Sequence, residues 1–349
     1  MNSIEIFKNV PGKILIIRLS SIGDILLSTP FIRQLRAKFP KSQIGFIVKD
    51  IYADLLRYNP NIDEIFCLNS GEGIEGLSDL KLKIRKNSYQ IVFDLHNNLR
   101  SNYLKRGINA GKICSIKKGK LKQTLLVRFK LNLYDHEIPI PFRYLSVAKN
   151  LGVTDDQKGL ELYWPQRVIN TCEKKCQQMN FNLDQKFICL APGAGFFTKR
   201  WPEAKFNTLV NLIHQKQKIP VVVLGGDKDQ EIGRRLGKQK NTIDFCGKLS
   251  LLETAYIISK GKIIVTNDSG LMHMATAVQT PVLAIFGSTV KELGFFPYRA
   301  EARIIENSGL SCRPCSHIGR HYCPKKHFKC MEEISPENVY AELEKFSLK

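Results

Sequence analysis

Short runs of aliphatic and β-branched residues, each followed by turn-forming residues and a helix-length stretch, recur along the chain in two groups of four. The first group is Lys13 to Leu19 (KILIIRL), Ile44 to Val48, Ile62 to Leu68 and Gln90 to Asp94 (QIVFD). The second is Phe187 to Leu190 (FICL), Val221 to Leu224 (VVVL), Lys262 to Val265 (KIIV) and Val282 to Phe286 (VLAIF). Runs that are apolar throughout, not alternating, need burial on both faces. A sheet provides this when its strands are parallel and helices cross over both sides. The pattern predicts an α/β fold of two doubly wound domains, and 349 residues suffice for a core in each. The joint is expected near Tyr163 to Asn170, where Trp164-Pro165 interrupts the periodicity, giving residues 1–165 and 166–334. Ser335 as N-cap and Pro336 at the first helical position open a last helix within 335–349.

Charge narrows the partners. Lys and Arg number 53 against 32 Asp and Glu, a formal charge of +21. The excess is global, both halves being basic, but within the first half Leu95 to Tyr134 stands out, where Arg100, Lys105, Arg106, Lys112, Lys117, Lys118, Lys120, Lys122, Arg128 and Lys130 meet no acid. Such a surface attracts phosphate on nucleic acid, anionic lipid or a phosphorylated small molecule, or it simply stays solvated. Nucleic acid is not the expected partner, because no RNP, zinc-finger or helix-turn-helix signature is present. Met1 to Ser20 offers only the apolar run Ile14 to Ile17 and no small-residue cleavage pattern, so a secretory signal is not expected. Ser269 to Val290 is free of charge, but Gly270, Pro281 and Gly287 break it into core strand and helix. Ten cysteines, most of them scattered, fit reduced cytosolic thiols.

Candidate chemistry sits in the turns after strands. Ser20-Ser21-Ile22-Gly23-Asp24 joins the first strand to the first helix. Gly23 permits a tight path there, and Asp24 serves either as a helix cap or as a general base at a strand's carboxyl end. In Ala191 to Pro202 (APGAGFFTKRWP) small residues let backbone N–H groups approach a ligand, and Lys199 and Arg200 add charge, a combination suited to a diphosphate. The Walker spacing is missing, and a structural loop with two solvated cations is the alternative. Thr266 to His273 (TNDSGLMH) forms another strand-to-helix turn, whose N–H groups and hydroxyl suit phosphate oxygens, with His273 one turn on. Gly225-Gly226-Asp227 ends a strand and is either a plain turn or a ribose site using Asp227, Asp229, Gln230 and Glu231. Gly71 to Gly76 (GEGIEG) matches a dinucleotide fingerprint, but Glu72 and Glu75 would repel pyrophosphate. Finally, Cys312-x2-Cys315-x7-Cys323-x6-Cys330, with His317, His321 and His327 alongside, is a candidate structural zinc site. Free thiols or disulfides are the alternatives.

Read in order, these segments resemble glycosyltransferase family 9, the lipopolysaccharide heptosyltransferase group. The resemblance rests on KILIIRLSSIGDILLSTPFIRQLRAKFP, VFDLHNNLRS, APGAGFFTKRWP, VVVLGGDKDQE, VTNDSGLMHMATAVQTPVLAIFGST and SPENVYAELEKF, and so spans nearly the whole chain. It implies a GT-B fold of two Rossmann-like domains facing a cleft, the first binding acceptor and the second a nucleotide diphosphate sugar, usually ADP-heptose. It also implies inverting transfer to an anionic glycolipid acceptor of the lipopolysaccharide core type, with no cofactor required for catalysis. By position in the motifs, Asp24 would be the base and Lys199 the lysine beside the donor phosphates. Gly193, Thr198, Gln230, Glu231, Asp268, Ser269, Gly270 and His273 would serve the donor. Ser21, Gly23, Asp94, His96, Asn97 and Arg100 would serve the acceptor. Ala194 and Gly195 stand where hydroxyl-bearing residues are common in the family, leaving Thr198 as the substitute. The basic tract would then meet the inner face of the cytoplasmic membrane, with the protein cytoplasmic and peripherally attached. A family member that binds nucleotide or glycolipid without turnover, or a basic nucleic-acid-binding protein, are the rival readings.

Overall fold

The computed structural model describes residues 11–134 and 136–346. The described part of Met1–Lys118 together with Pro139–Tyr163 makes one compact unit, and Gly119–Ile138 with the described part of Trp164–Lys349 makes the other.

The first unit is built on a five-stranded parallel sheet of β1 (Lys13–Ile17), β2 (Gln43–Lys49), β3 (Glu64–Leu68), β4 (Ser88–Asp94) and β5 (Asn109–Ser115). Their order across the sheet is β3-β2-β1-β4-β5. Ile14 to Ile17 are fully buried because β1 pairs on both sides, with Ile17 beside Ile47 in β2 and Asp94 in β4. Leu15, Ile17, Ile47 and Val92 pack on Leu80 and Ile84 of the helix Gly73–Arg85 and on Leu104 of Leu99–Lys105. Each large apolar side chain so buried contributes about 1.5–3 kcal/mol. The stretch after β1 forms two helices, Ile22–Leu26 and Thr29–Lys38, because Pro30 can occupy only the first turn of a helix without breaking a ladder bond.

The second unit carries six parallel strands, β6 (Ile188–Ala191), β7 (Val221–Val223), β8 (Thr242–Asp244), β9 (Ile263–Asn267), β10 (Val282–Phe286) and β11 (Ala302–Glu306), in the order β11-β10-β9-β6-β7-β8. The helix Glu203–Gln217 buries Phe206, Leu209, Val210 and Ile213, the i, i+3, i+4, i+7 stripe of an amphipathic helix, against this sheet. The helix Pro336–Glu344, capped by Ser335 Oγ accepting from Asn338 N at 3.1 Å, adds Val339, Tyr340 and Leu343 to the same core.

The expected strands are present, and β5, β8 and β11 are additional. All three are edge or short strands with exposed or half-buried side chains, so they carry no apolar run to read. The single joint near residue 165 does not describe residues 119–138, which join the second unit. Lys130 Nζ donates to the carbonyls of Cys312 and Pro314 at 3.2 and 2.6 Å, and Lys291 pairs with Glu137 at 2.5 Å.

Candidate active site

In both sheets the chain starts in the middle and then reverses direction, so a switch point falls between β1 and β4 in the first and between β6 and β9 in the second. Loops at the carboxyl ends of such strands diverge and leave room for a ligand. Asp24, Asp94, Lys199 and Asp268 lie in the turns at these two places.

At the first, Arg18 leaves β1 and donates through Nη1 to the carbonyl of Leu95, just past β4, at 2.7 Å. Its Nη2 forms an ion pair with Asp24 Oδ1. Asp24 Oδ2 accepts from Ser21 N at 3.2 Å and Ser21 Oγ at 3.1 Å, closing a capping box on the helix Ile22–Leu26. The Tyr144 hydroxyl bonds the same carboxylate, and the Arg18 guanidinium lies 5.8 Å from the Tyr144 ring centroid. Burial alone would raise the Asp24 carboxyl, but the Arg18 charge and the Ser21 donors outweigh it and hold the group below its ordinary value. Asp24 is thus both cap and ionised carboxylate. Gly23 is buried beneath it.

Asp94 is placed differently from a ligand contact. It is fully buried, with Oδ1 accepting from His96 N at 3.0 Å and Asn97 N at 2.7 Å, and Oδ2 from Ser101 Oγ at 2.9 Å and Lys105 Nζ at 2.7 Å. With both oxygens engaged, it fixes the turn that presents His96 and Asn97. Asn97 adopts φ +44°, anchored by Nδ2 to the carbonyl of Ile116 at 2.8 Å. Burial, reinforced by the Arg18 and Lys118 charges, pushes the His96 imidazole down to about 4, so it is neutral at physiological pH. Arg100 stands exposed on the helix Leu99–Lys105.

At the second switch point, Lys199 Nζ and Asp268 Oδ2 form an ion pair at 2.6 Å, and Thr289 Oγ1 donates to the same oxygen at 2.6 Å. The Asn267 carboxamide ties the two loops together: Oδ1 accepts from Trp201 N at 3.0 Å and Nδ2 donates to the Pro192 carbonyl at 2.7 Å. Ser269 is the extended N-cap of the helix Gly270–Ala277 and makes no side-chain cap bond, its Oγ lying 3.3 Å from Thr266 Oγ1. The first-turn N–H groups of Gly270–Ala277 are therefore not capped by Ser269, the arrangement that receives an anion. His273 is buried on the following turn. Thr198, offered as a phosphate hydroxyl, is instead a buried latch: Oγ1 lies 2.9 Å from Ser288 Oγ and accepts from Arg320 N at 2.8 Å.

Gly193 has a steric reason, since a Cβ there would come within 2.4 Å of the Asp229 carboxylate. Asp229 Oδ2 accepts from Gly226 N at 3.0 Å, and burial pushes its carboxyl up. A cavity of about 340 Å³ is lined by Gly193, Arg200, Trp201, Asp229, Glu231 and Arg235. Glu231 reaches it with its carboxylate tied to Arg235. Gln230 turns toward Gly247, where a Cβ would meet its Nε2 at 2.4 Å, and sits 3.4 Å from Asp227. The half-buried acid beside Gly193 is thus Asp229, one residue before the pair expected to serve the donor.

The zinc expectation is corrected. Among the described residues no group of three or more His, Cys, Asp or Glu is close enough to hold a metal ion, so Cys312, Cys315, Cys323 and Cys330 form no ligand set. Burial pushes the Cys315 and Cys330 thiols up. The buried Arg313 guanidinium staples this loop instead, donating to the carbonyls of Gly287 at 2.6 Å, Thr289 at 2.9 Å and Asn307 at 2.5 Å and pairing with Glu306 at 2.6 Å.

The sequence profile of glycosyltransferase family 9 (heptosyltransferase) matches residues 78–326. The chain belongs to that family. It is similar to lipopolysaccharide heptosyltransferase 2 of Salmonella typhimurium, with 28% identity over 308 residues, 84% of this chain and 87% of that one. The solved glycosyl transferase family 9 structure from Veillonella parvula superposes with TM-score 0.79 at 24% identity, covering 96% of this chain and 97% of that one. E. coli heptosyltransferase WaaC with ADP-2-deoxy-2-fluoro heptose superposes with TM-score 0.69 at 17% identity, covering 95% and 99%. The family 9 chain is therefore a glycosyltransferase with the GT-B fold, as its motifs implied. Arg18, Tyr144, Asn267, Thr289 and Arg313 were not singled out in the sequence. Arg18 and Asn267 flank turns that were read, but nothing local marks Tyr144, Thr289 or Arg313.

Proposed function

We propose that this family 9 enzyme transfers heptose from ADP-heptose, with inversion and without a catalytic metal, to the core of lipopolysaccharide or a related anionic glycolipid. The reading is supported by the names of its relatives and by the solved relative that carries an ADP-heptose analogue. The observation that carries it is the Lys199–Asp268 pair at the switch point between β6 and β9, beside the helix start at Gly270. When the sugar C1–O bond breaks, the electron pair stays on the diphosphate oxygen. Lys199 and the N–H groups of that helix start are assigned to receive this charge, and such charge-assisted hydrogen bonds contribute about 1.5–3 kcal/mol each. Asp268 holds Lys199 in place before the donor arrives. Asp24 is assigned to take the proton of the acceptor hydroxyl as its oxygen bonds C1 from the opposite face, and one displacement inverts the centre. His96, Asn97 and Arg100 are assigned to the acceptor, with Ser21 and Asp94 as positioning residues. The basic tract is assigned to the inner face of the cytoplasmic membrane, where the protein works from the cytoplasm. Among the described residues no helix is long and apolar enough to cross a membrane.

The test is turnover of ADP-heptose on a core oligosaccharide acceptor, with the product's anomeric configuration read by NMR. Asp24→Asn is expected to lower turnover at least about a hundredfold while ADP still binds. Retained turnover removes Asp24 from the base role. A thermal-shift series of ADP-, UDP- and GDP-sugars tests the donor, with ADP-heptose expected to raise the melting point most.

A further inference from the structure

The basic tract does more than carry charge where it joins the second unit. Residues 120–129 form one helical stretch, an α-turn at Lys120–Thr124 running into a π-turn at Leu125–Phe129 that ends on Lys130 at φ +60°. One side is anchored. Leu126 is buried, and Lys130 Nζ donates to the carbonyls of Val127, Cys312 and Pro314. Other large apolar side chains of the segment are open: Leu121 is 73% exposed, Phe129 59%, Leu131 55% and Leu133 48%. Four large apolar side chains within thirteen residues stand in water, while Lys120, Lys122 and Arg128 between them are also exposed. Lys117 and Lys118 immediately precede them, and no acid occurs from Leu95 to Tyr134.

Exposed apolar side chains interleaved with cations of one sign fit an interface between apolar and anionic layers, which is the headgroup boundary of an anionic bilayer. An ordinary protein partner would need acids at matching positions and would leave these cations partly desolvated. A lipid surface supplies both layers at once.

We propose that residues 119–134 are the membrane-docking segment of this enzyme. Leu121, Phe129, Leu131 and Leu133 enter the headgroup boundary, and Lys120, Lys122 and Arg128 meet anionic lipid. This rests on, and deepens, the assignment of the protein to a membrane-borne glycolipid acceptor. The segment is tied to the donor side by a short chain of bonds. Lys130 holds the Cys312 and Pro314 carbonyls, Cys315 N donates to the Ser288 carbonyl at 3.2 Å, and Ser288 Oγ meets Thr198 beside Lys199. Docking would therefore bring a lipid-anchored acceptor to the unit that carries Lys199.

The experiment is flotation of the full chain with phosphatidylglycerol–phosphatidylethanolamine vesicles and, separately, with neutral phosphatidylcholine vesicles, at low and at 0.5 M salt (about 3–10 Å of screening length). Phe129→Ser/Leu131→Ser is expected to weaken partitioning to anionic vesicles at least about tenfold at either salt, and Lys120→Gln/Lys122→Gln/Arg128→Gln to do so mainly at low salt. Leu121→Ser/Leu133→Ser provides a second apolar variant, and unchanged melting curves certify folding. Transfer to a water-soluble acceptor is measured in parallel, where Phe129→Ser/Leu131→Ser should act like the parent. Loss of transfer to every acceptor would defeat the assigned reaction and leave the docking result standing. Unchanged flotation of both apolar variants, or equal flotation on neutral vesicles, would overturn the proposal. So would a concentration-dependent dimer in sedimentation that Phe129→Ser/Leu131→Ser abolishes, because a second copy would then cover this face.

Discussion

Replacing Arg18 with Met keeps most of the side chain's length and removes the charge that Asp24 faces. The two groups are an ion pair whose side chains are 11% and 17% exposed, so little solvent is available to take over. Burial and Arg18 act on the Asp24 carboxyl in opposite directions, and Arg18 prevails. Without it, the Ser21 donors and the Tyr144 hydroxyl remain, and burial wins. Losing an opposite charge at this range moves a carboxyl up, because nothing then offsets the cost of burying its charge. At pH 7 the variant should be less stable by about 3 kcal/mol, the low end for a buried pair broken from one side. The sign with pH is definite. In the parent, the stability from the depressed Asp24 is present above the unfolded value near 3.8 and is lost only as pH falls through its lower folded pKa. In Arg18→Met the folded carboxyl takes up its proton before the unfolded chain does, so the gap narrows as pH falls toward 4. Urea unfolding at intervals from pH 7.5 to 4 measures this, and the acidic limb of kcat/KM should move to higher pH. Arg18→Lys should restore most of both. A stability gap constant across that range, with an unmoved acidic limb, would refute the argument.

Lys199→Ala leaves Asp268 buried with the Thr289 hydroxyl still donating to it, so melting should fall by an amount corresponding to about 2–4 kcal/mol, and ADP titrated by calorimetry should bind at least about tenfold more weakly. Unchanged ADP affinity would remove Lys199 from the phosphate site. Gly193→Ala places a methyl within 2.4 Å of the Asp229 carboxylate and should cost about 1–3 kcal/mol in denaturant unfolding, most of it recovered in Gly193→Ala/Asp229→Gly. Asp94→Ala strands the Lys105 ammonium and frees the His96–Asn97 turn, so a loss of about 3–5 kcal/mol is expected. Ser335→Ala removes one cap bond and should cost only about 1 kcal/mol.

The central strands and the switch-point turns were legible in the sequence because burial on both faces and tight turns act locally. An all-apolar run such as ILII or VLAIF, or a turn such as SSIGD or TNDSG, states its requirement without reference to distant chain. The edge strands Asn109–Ser115 and Ala302–Glu306 were not legible, since a strand paired on one side only needs no apolar face. Nor was the engagement of residues already named. Asp94 and Thr198 sit in turns that were read, yet their polar atoms are taken up by partners 2 to 122 positions away. The cysteine spacing suggested a metal, but the loop is held by Arg313, whose acceptors come from the ends of separate strands and cannot be inferred from spacing. Local chemistry is written in order along the chain and can be read there. Which groups end up sharing a hydrogen bond is set by the folding together of distant segments, and only the tertiary structure decides it.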